Sequence, residues 1–320
     1  MITPITLHYA AVFFAIGLSA IGSGIGQGIA GFGTLKALAR QRTGFEQIFR
    51  SMVLGLALIE SGLILALVIV LILLFGGTHS EMTWAIGYAE LGMGISIGFA
   101  ALGVGIASSL AVKSASVSIA RQPHNGQKII TLMLLVQSII EAPVIFALLI
   151  ALLIKTQITA SMPLHDGLKL CAAGVAIGIG SIGPSVGQAI FASAACSAIG
   201  LRAKSYTKLL PFSLVSQAVI ETPLIFSLVI STLLIFKPLS GPMAFITSAL
   251  SFVIAFVVGF GTGGASIASG YVASKSVKYV ALDEKNYAMY LRTTLFSQAI
   301  IESSAIYSLI VGLLLVTKTL

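Results

Sequence analysis

The sequence predicts an all-α membrane protein of eight transmembrane helices arranged as four tandem helical hairpins. Three observations carry that prediction: a scarcity of charge, eight long apolar runs, and a repeat of about 80 residues. Of 320 residues, 57% are hydrophobic and only 9% are charged, with a mean hydropathy of +1.06. A soluble domain carries about 25% charged residues, so this chain could not cover a globule with solvated surface. That excludes an ordinary cytosolic enzyme, a disordered chain and a secreted disulfide scaffold. The 33 glycines follow no three-residue period, which excludes collagen.

The apolar runs fall near 9–35, 50–75, 84–112, 128–154, 168–200, 207–236, 242–272 and 290–317. Each is long enough to cross about 30 Å of hydrocarbon as a helix. Barrel strands would alternate polar and apolar residues over about 10 positions, and these runs are continuously apolar for much longer. The first run follows MITPITLHYA with no basic segment before it, so it is expected to be a spanning helix rather than a cleaved signal.

The runs repeat in register. Glu60, Glu141, Glu221 and Glu302 stand inside the even-numbered spans, spaced 81, 80 and 81 residues apart. Thirty-three residues before them stand Gln27, Ser108, Gln188 and Ser269. Ten residues further back stand Gly17, Gly98, Gly178 and Gly259. Phasing that survives at each checkpoint marks true internal repeats. The units are 1–80, 81–162, 163–240 and 241–320. The Gln/Ser alternation pairs unit 1 with unit 3 and unit 2 with unit 4, as expected if a two-hairpin gene was itself duplicated.

Charge sets the orientation. The net charge is +8, and fourteen of the eighteen Lys and Arg residues lie in or beside the four hairpin turns. The connections between hairpins and the C-terminus hold only Lys155, Lys169, Lys237 and Lys318. The positive-inside rule then places the hairpin turns in the cytoplasm and both termini on the other side. In this setting the basic balance is loop charge and implies no nucleic-acid partner. Cys171 and Cys196 would lie about 37 Å apart on one helix, too far to pair.

The first helix of each hairpin is rich in small residues. Unit 1 has Gly22, Gly24, Gly26 and Gly28; unit 3 has Gly183, Ser185 and Gly187; unit 4 has Gly264, Ser266 and Gly270. Small residues let helix backbones approach closely in lipid. They suit a generic packing face or, more sharply, the inner layer of a ring. A nucleotide-binding reading of this Gly-rich text fails, because no strand precedes it.

The four glutamates are the chemical signal. A charge at the bilayer centre costs several kcal/mol, so such residues usually mark ion paths, and desolvation favours the neutral carboxyl. Candidate partners are Gln27 and Ser61 for Glu60; Ser108 for Glu141; Gln188 and Thr222 for Glu221; and Ser269 with Ser303 for Glu302. Unit 2 has Ala142 where the others have a hydroxyl. Pro143 and Pro223 would free the carbonyls of Ile139 and Val219 as ligands, or simply bend their helices. Gln137, Gln217 and Gln298 lie one turn before their glutamates and are expected to orient the carboxyl groups. Glu90 has no counterpart in the other units and is expected at the membrane interface. The four histidines, 8, 79, 124 and 165, form no metal-ligand spacing.

Together these residues resemble the c subunit of rotary ATP synthases: a Gly-rich first helix, an Arg-Gln-Pro turn and a carboxylate midway along the second helix. Arg121-Gln122-Pro123 matches the turn fully, and Arg40-Gln41 matches in part. The resemblance covers nearly the whole chain, four times over. It implies a homo-oligomeric ring that turns against a stator subunit bearing an essential arginine. The turns, with Arg40, Gln41, Arg121, Gln122 and Pro123, would bind the central stalk. It implies no cofactor, and H+ or Na+ as the transported ion. Gln27 with Glu60 and Gln188 with Glu221 match the sodium-coupled pattern, and Tyr307 matches a tyrosine often found near the site. Such rings also draw ligands from the adjacent hairpin. Four fused hairpins depart from the usual single one, which keeps a V/A-type proteolipid as the alternative. A repeat-built secondary transporter is the competing class, although its repeats are typically inverted.

Overall fold

The structure, a computed structural model, describes residues 3–76, 82–238 and 244–319. His79 and parts of the connections before α3 and α7 lie outside the described residues. Eight helices are long and apolar enough to span a membrane: α1 (Pro4–Arg40), α2 (Phe45–Phe75), α3 (Trp84–Arg121), α4 (Pro123–Gln157), α5 (Leu164–Leu201), α6 (Ala203–Phe236), α7 (Ala244–Leu282) and α8 (Glu284–Lys318). There is no strand among the described residues. The chain is an integral membrane protein of four helical hairpins.

The odd-numbered helices form one layer, in which α1 packs on α3, α3 on α5 and α5 on α7. Each even-numbered helix of the first three hairpins rests on its own partner and on the first helix of the next hairpin. The most apolar window of α5 is 83% buried, against 22% in α1 and 17% in α8. The stack therefore has two open edges, one on hairpin 1 and one on hairpin 4.

Small residues set the spacing of the first layer. A Cβ on Gly26 would strike the Gly105 carbonyl of α3, and one on Gly187 would strike the Ser266 carbonyl of α7. Gly22 meets Leu102 and Gly183 meets Gly263 in the same way. Lipid tails are as apolar as leucine, so this backbone contact supplies dispersion attraction that side chains could not. Three of the glycines read as packing residues behave differently: Gly24, Gly28 and Gly264 have nothing within 4 Å of a would-be Cβ. Gly24 and Gly28 lie on the outward flank of α1, and Gly264 lies on that of α7. Their counterparts within the chain, Gly105, Gly270 and Gly183, are tightly packed.

The hairpin turns are shorter than the basic text suggests. Only Gln122 separates α3 from α4, Arg202 separates α5 from α6, and Asp283 separates α7 from α8. The flanking segments hold Ala, Lys, Arg and Leu, good helix formers that carry the rods beyond the apolar runs. The turns are laced to one another. Gln122 Nε2 donates to Gly200 O at 3.1 Å, and Arg202 Nη1 donates to Leu282 O at 2.7 Å. At the other end Lys169 Nζ donates to Lys237 O at 2.7 Å, and Lys237 Nζ to Val316 O at 2.6 Å. These cations satisfy carbonyls at helix C-termini. Cys171 and Cys196 are free and buried.

Gly187→Val should lower stability by about 1–3 kcal/mol through overpacking, seen as a lower midpoint in thermal unfolding of the detergent-solubilised protein. Gly31→Ala should leave that midpoint unchanged. Nothing lies within 4 Å of a Cβ there, and the equivalent positions already hold Val112, Ala192 and Ala273.

Candidate functional site: a carboxylate held between two hairpins

Glu141 sits where α4 breaks. The α-helix runs over Gly126–Ile140 and resumes over Ala142–Gln157, with Pro143 in the first turn of the second half. Proline has no amide hydrogen to continue the ladder. Pro223, at the equivalent place in α6, leaves that helix continuous. Of the two proline expectations, only hairpin 2 shows an interruption.

Two hydroxyls grip this carboxylate. Ser108 Oγ on α3 donates to Glu141 Oε1 at 3.2 Å. Ser61 Oγ on α2, in the preceding hairpin, donates to Oε2 at 2.6 Å. Glu141 is 8% exposed, and Ser108 is fully buried. Ser61 Oγ also lies 2.8 Å from Leu58 O. The ionised carboxylate can accept from both hydroxyls. The neutral acid can donate to Ser61, whose own hydrogen then turns to Leu58 O. The site is built to hold its carboxyl group with or without a proton.

This geometry corrects the grouping of partners. Ser61 follows Glu60 in sequence yet serves Glu141, because neighbouring residues on a helix point about 100° apart. The same one-hairpin offset carries Ala142 toward Glu221 and Thr222 toward Glu302. Thr222 itself donates to Ala218 O at 3.2 Å, and Ser303 to Ile300 O at 2.6 Å. The repeat equivalent of Ser61 next to the Gln188/Glu221 pair is Ala142, which carries no hydroxyl.

The remaining sites are more open. Glu60 is exposed on the edge of hairpin 1, and its neighbour in the repeat pattern, Gln27, is partly buried with Nε2 donating to Ser23 Oγ at 3.4 Å. Glu221 and Glu302 are partly buried. Gln188 is fully buried, and its amide faces the Glu221 carboxyl of the same hairpin. Ser269 Oγ accepts from Gln298 Nε2 at 2.9 Å, which leaves its own hydroxyl hydrogen free.

Gln137, Gln217 and Gln298 do not orient the carboxyl groups. Gln137 Nε2 is 3.4 Å from Gly55 O, Gln217 Nε2 donates to Val136 O at 3.2 Å, and Gln298 Nε2 to Ser216 O at 3.3 Å. Each amide stitches its helix to the second helix of the preceding hairpin. Glu90 has no exposure and lies between α3 and α1, with Oε2 2.7 Å from His8 Nδ1. Neither role was visible in spacing alone.

At the turns, Arg40 and Arg121 are exposed, while Gln41, Gln122 and Pro123 are partly buried. Gln122, expected to face a stalk, is already committed to Gly200 O. Asp283 Oδ2 accepts from Asn286 Nδ2 at 2.7 Å, and that amide holds its carboxyl below the usual carboxylate range. Among the described residues no three of His, Cys, Asp and Glu come together as a metal cluster.

The fold and site define a class: a polytopic membrane protein made of repeated two-helix units, each with one carboxylate midway along its second helix. Residues 10–73, 91–154, 171–234 and 252–315 each match the ATP synthase C-subunit family, and the chain belongs to that family. It is 49% identical over 65 residues to an ATP synthase c subunit of Dehalococcoides mccartyi, covering 86% of that protein and 20% of this chain. It is 41% identical over 86 residues to one from Syntrophobacter fumaroxidans, covering 93% of that protein and 26% of this chain. The corresponding protein of Geobacter metallireducens is 36% identical over 86 residues, covering 92% of its length and 27% of this chain.

Ser61→Ala should change the rate at which a hydrophobic carbodiimide labels Glu141 by about tenfold, the equivalent of one charge-assisted hydrogen bond. Labelling of Glu60, beside Ser61 in sequence, should change far less. Mass spectrometry of the labelled peptides reads both.

Proposed function

We propose that the chain is the ion-carrying rotor subunit of an F-type ATP synthase. Copies would assemble into a ring in an energy-coupling membrane and present Glu60, Glu141, Glu221 and Glu302 in turn to a stator. Each carboxylate would load H+ or Na+ on one side and release it on the other, and an arginine of the stator a subunit would displace the ion in passing. The observation that carries this reading is the glutamate of each hairpin, in register within an apolar helix, in a member of the ATP synthase C-subunit family. The grip on Glu141 supports it, since two hydroxyls stabilise a carboxylate without locking it to a permanent cation.

The two open edges support assembly. Small residues on the flank of α1 and on that of α7 occupy the positions that make close backbone contact inside the chain. Head-to-tail contact of that kind closes into a ring when the rotation per step divides a full turn. The hairpin number would then be a multiple of four. The basic turns, with Arg40, Arg42, Arg121, Lys204, Lys208 and Lys285, would face the cytoplasm and the central stalk, with both termini opposite. The complete Arg121-Gln122-Pro123 turn and the presence of a carboxylate in every hairpin favour F-type over V/A-type membership. Parallel repeats with four equivalent carboxylates disfavour a secondary transporter.

Replacing all four glutamates with glutamine should abolish ion-driven ATP synthesis in proteoliposomes holding the complete complex, while ATP hydrolysis by the detached catalytic sector persists. Synthesis at the wild-type rate in that variant would overturn the reading. In membranes at fixed Na+, labelling by the carbodiimide should fall as pH rises, because only the protonated carboxyl reacts.

A further inference from the structure

The turn contacts inside the chain have counterparts on its two open edges. At the turn of hairpin 3, Arg202 reaches forward to hairpin 4: Nη1 donates to Leu282 O at 2.7 Å, and Nε lies 3.8 Å from Glu284 Oε1. One hairpin further on, the repeat puts Asp283 where Arg202 stands. In the first hairpin it puts Arg42 where Glu284 stands. The cation that reaches forward has become an anion, and the anion that receives it has become a cation. The other two internal seams hold Gln41 with Pro123 and Gln122 with Ala203 at these positions, and neither is a charge pair. Asp283 is half-buried on one open edge. Arg42 is exposed on the other and forms no ion pair among the described residues.

We propose that the edge carrying Asp283 is a charge-coded docking surface for a second copy of this chain, which brings Arg42 to it. This rests on the rotor reading and deepens it: a ring needs some contact between copies, and here one reversed ion pair sets that contact apart from the three seams inside the chain. An exposed ion pair adds little affinity, but its sign selects the partner and the register. Two copies meeting by the same edge would set Asp283 against Asp283, or Arg42 against Arg42. Only unlike edges bring opposite charges together. The pair therefore opposes a two-fold dimer and favours head-to-tail addition.

Two other positions set this seam apart. Ser114 Oγ of hairpin 2 lies 2.7 Å from Ser193 Oγ of hairpin 3. Between copies the same two positions hold Lys275 and Phe32, both exposed. An ammonium group is attracted to an aromatic face, and Lys275 Nζ already lies 5.0 Å from the Tyr271 ring of its own helix. At mid-height the position of Gln137, Gln217 and Gln298 is held in hairpin 1 by Leu56, so the amide tie of the internal seams is missing between copies. The junction exchanges a neutral tie for charged ones, which salt screens.

The test is native mass spectrometry of the purified full-length chain in detergent, reading the ratio of ring to single chain. Raising NaCl from about 0.1 to 1 M shortens the screening length from about 10 to 3 Å and should shift the wild-type protein toward single chains. Asp283→Arg and Arg42→Asp should each weaken every junction about two- to fivefold at low salt, and added salt should then raise the ratio. The double variant, with the charges exchanged, should restore both the ratio and its salt response, a gain that no misfolded protein would give. Replacing Arg202 and Glu284 together with alanine should leave the ratio unchanged, because that pair lies within one chain. Single variants that assemble like the wild type, or a double variant that stays dissociated, would overturn the proposal and leave the rotor reading intact. A wild-type chain that forms no ring at any salt concentration would overturn both.

Discussion

Backbone-to-backbone contact between the odd-numbered helices is the constraint from which the other features follow. Gly26 against Gly105 and Gly187 against Ser266 bring consecutive helices nearer than leucine or phenylalanine would permit. In lipid there is no solvent to expel between helices, so close packing and hydrogen bonding must supply the attraction. The even-numbered helices then settle into the notches between neighbours. That places Ser61 of one hairpin within 2.6 Å of a carboxylate in the next. A bulkier first layer would pull the hairpins apart and leave Glu141 with Ser108 alone.

A second set of bonds fixes the hairpins in axial register. Gln137, Gln217 and Gln298 tie second helices to one another at mid-height, Gln122 and Arg202 tie the turns, and Lys237 ties the opposite ends of hairpins 3 and 4. Glide of hairpin 4 along hairpin 3 would break all three levels at once. Each amide or cation reaches a carbonyl, so the contacts depend on backbone position more than on the identity of the facing side chain. That is why they persist across hairpins whose sequences have diverged.

Much of this was legible in the sequence because it depends on period and composition. The glutamates at intervals of 81, 80 and 81, the glycine checkpoints and the clustered turn cations specify four hairpins without reference to any fold. The pairing of ligands was not legible. Ser61 beside Glu60 looks like a partner on the page, and only the lateral placement of hairpins shows that it faces Glu141. Gln137 shares a helical face with Glu141, yet its amide is drawn to Gly55 O across the groove. Glu90 lacks a counterpart in other units, so no repeat could point to His8, which sits 82 residues away. Sequence spacing reports contacts along one helix well, and contacts between helices only where a repeat duplicates them.

The fusion itself has a further consequence. In an assembly of identical single hairpins, every residue is copied onto every flank, so a change tolerated at one contact must be tolerated at all of them. Ala142, Arg202 and Asp283 escape that rule here, each occurring on a single flank of the four. Covalent linkage thus frees individual seams to drift or specialise, while the common architecture is maintained by the seams that stay conservative.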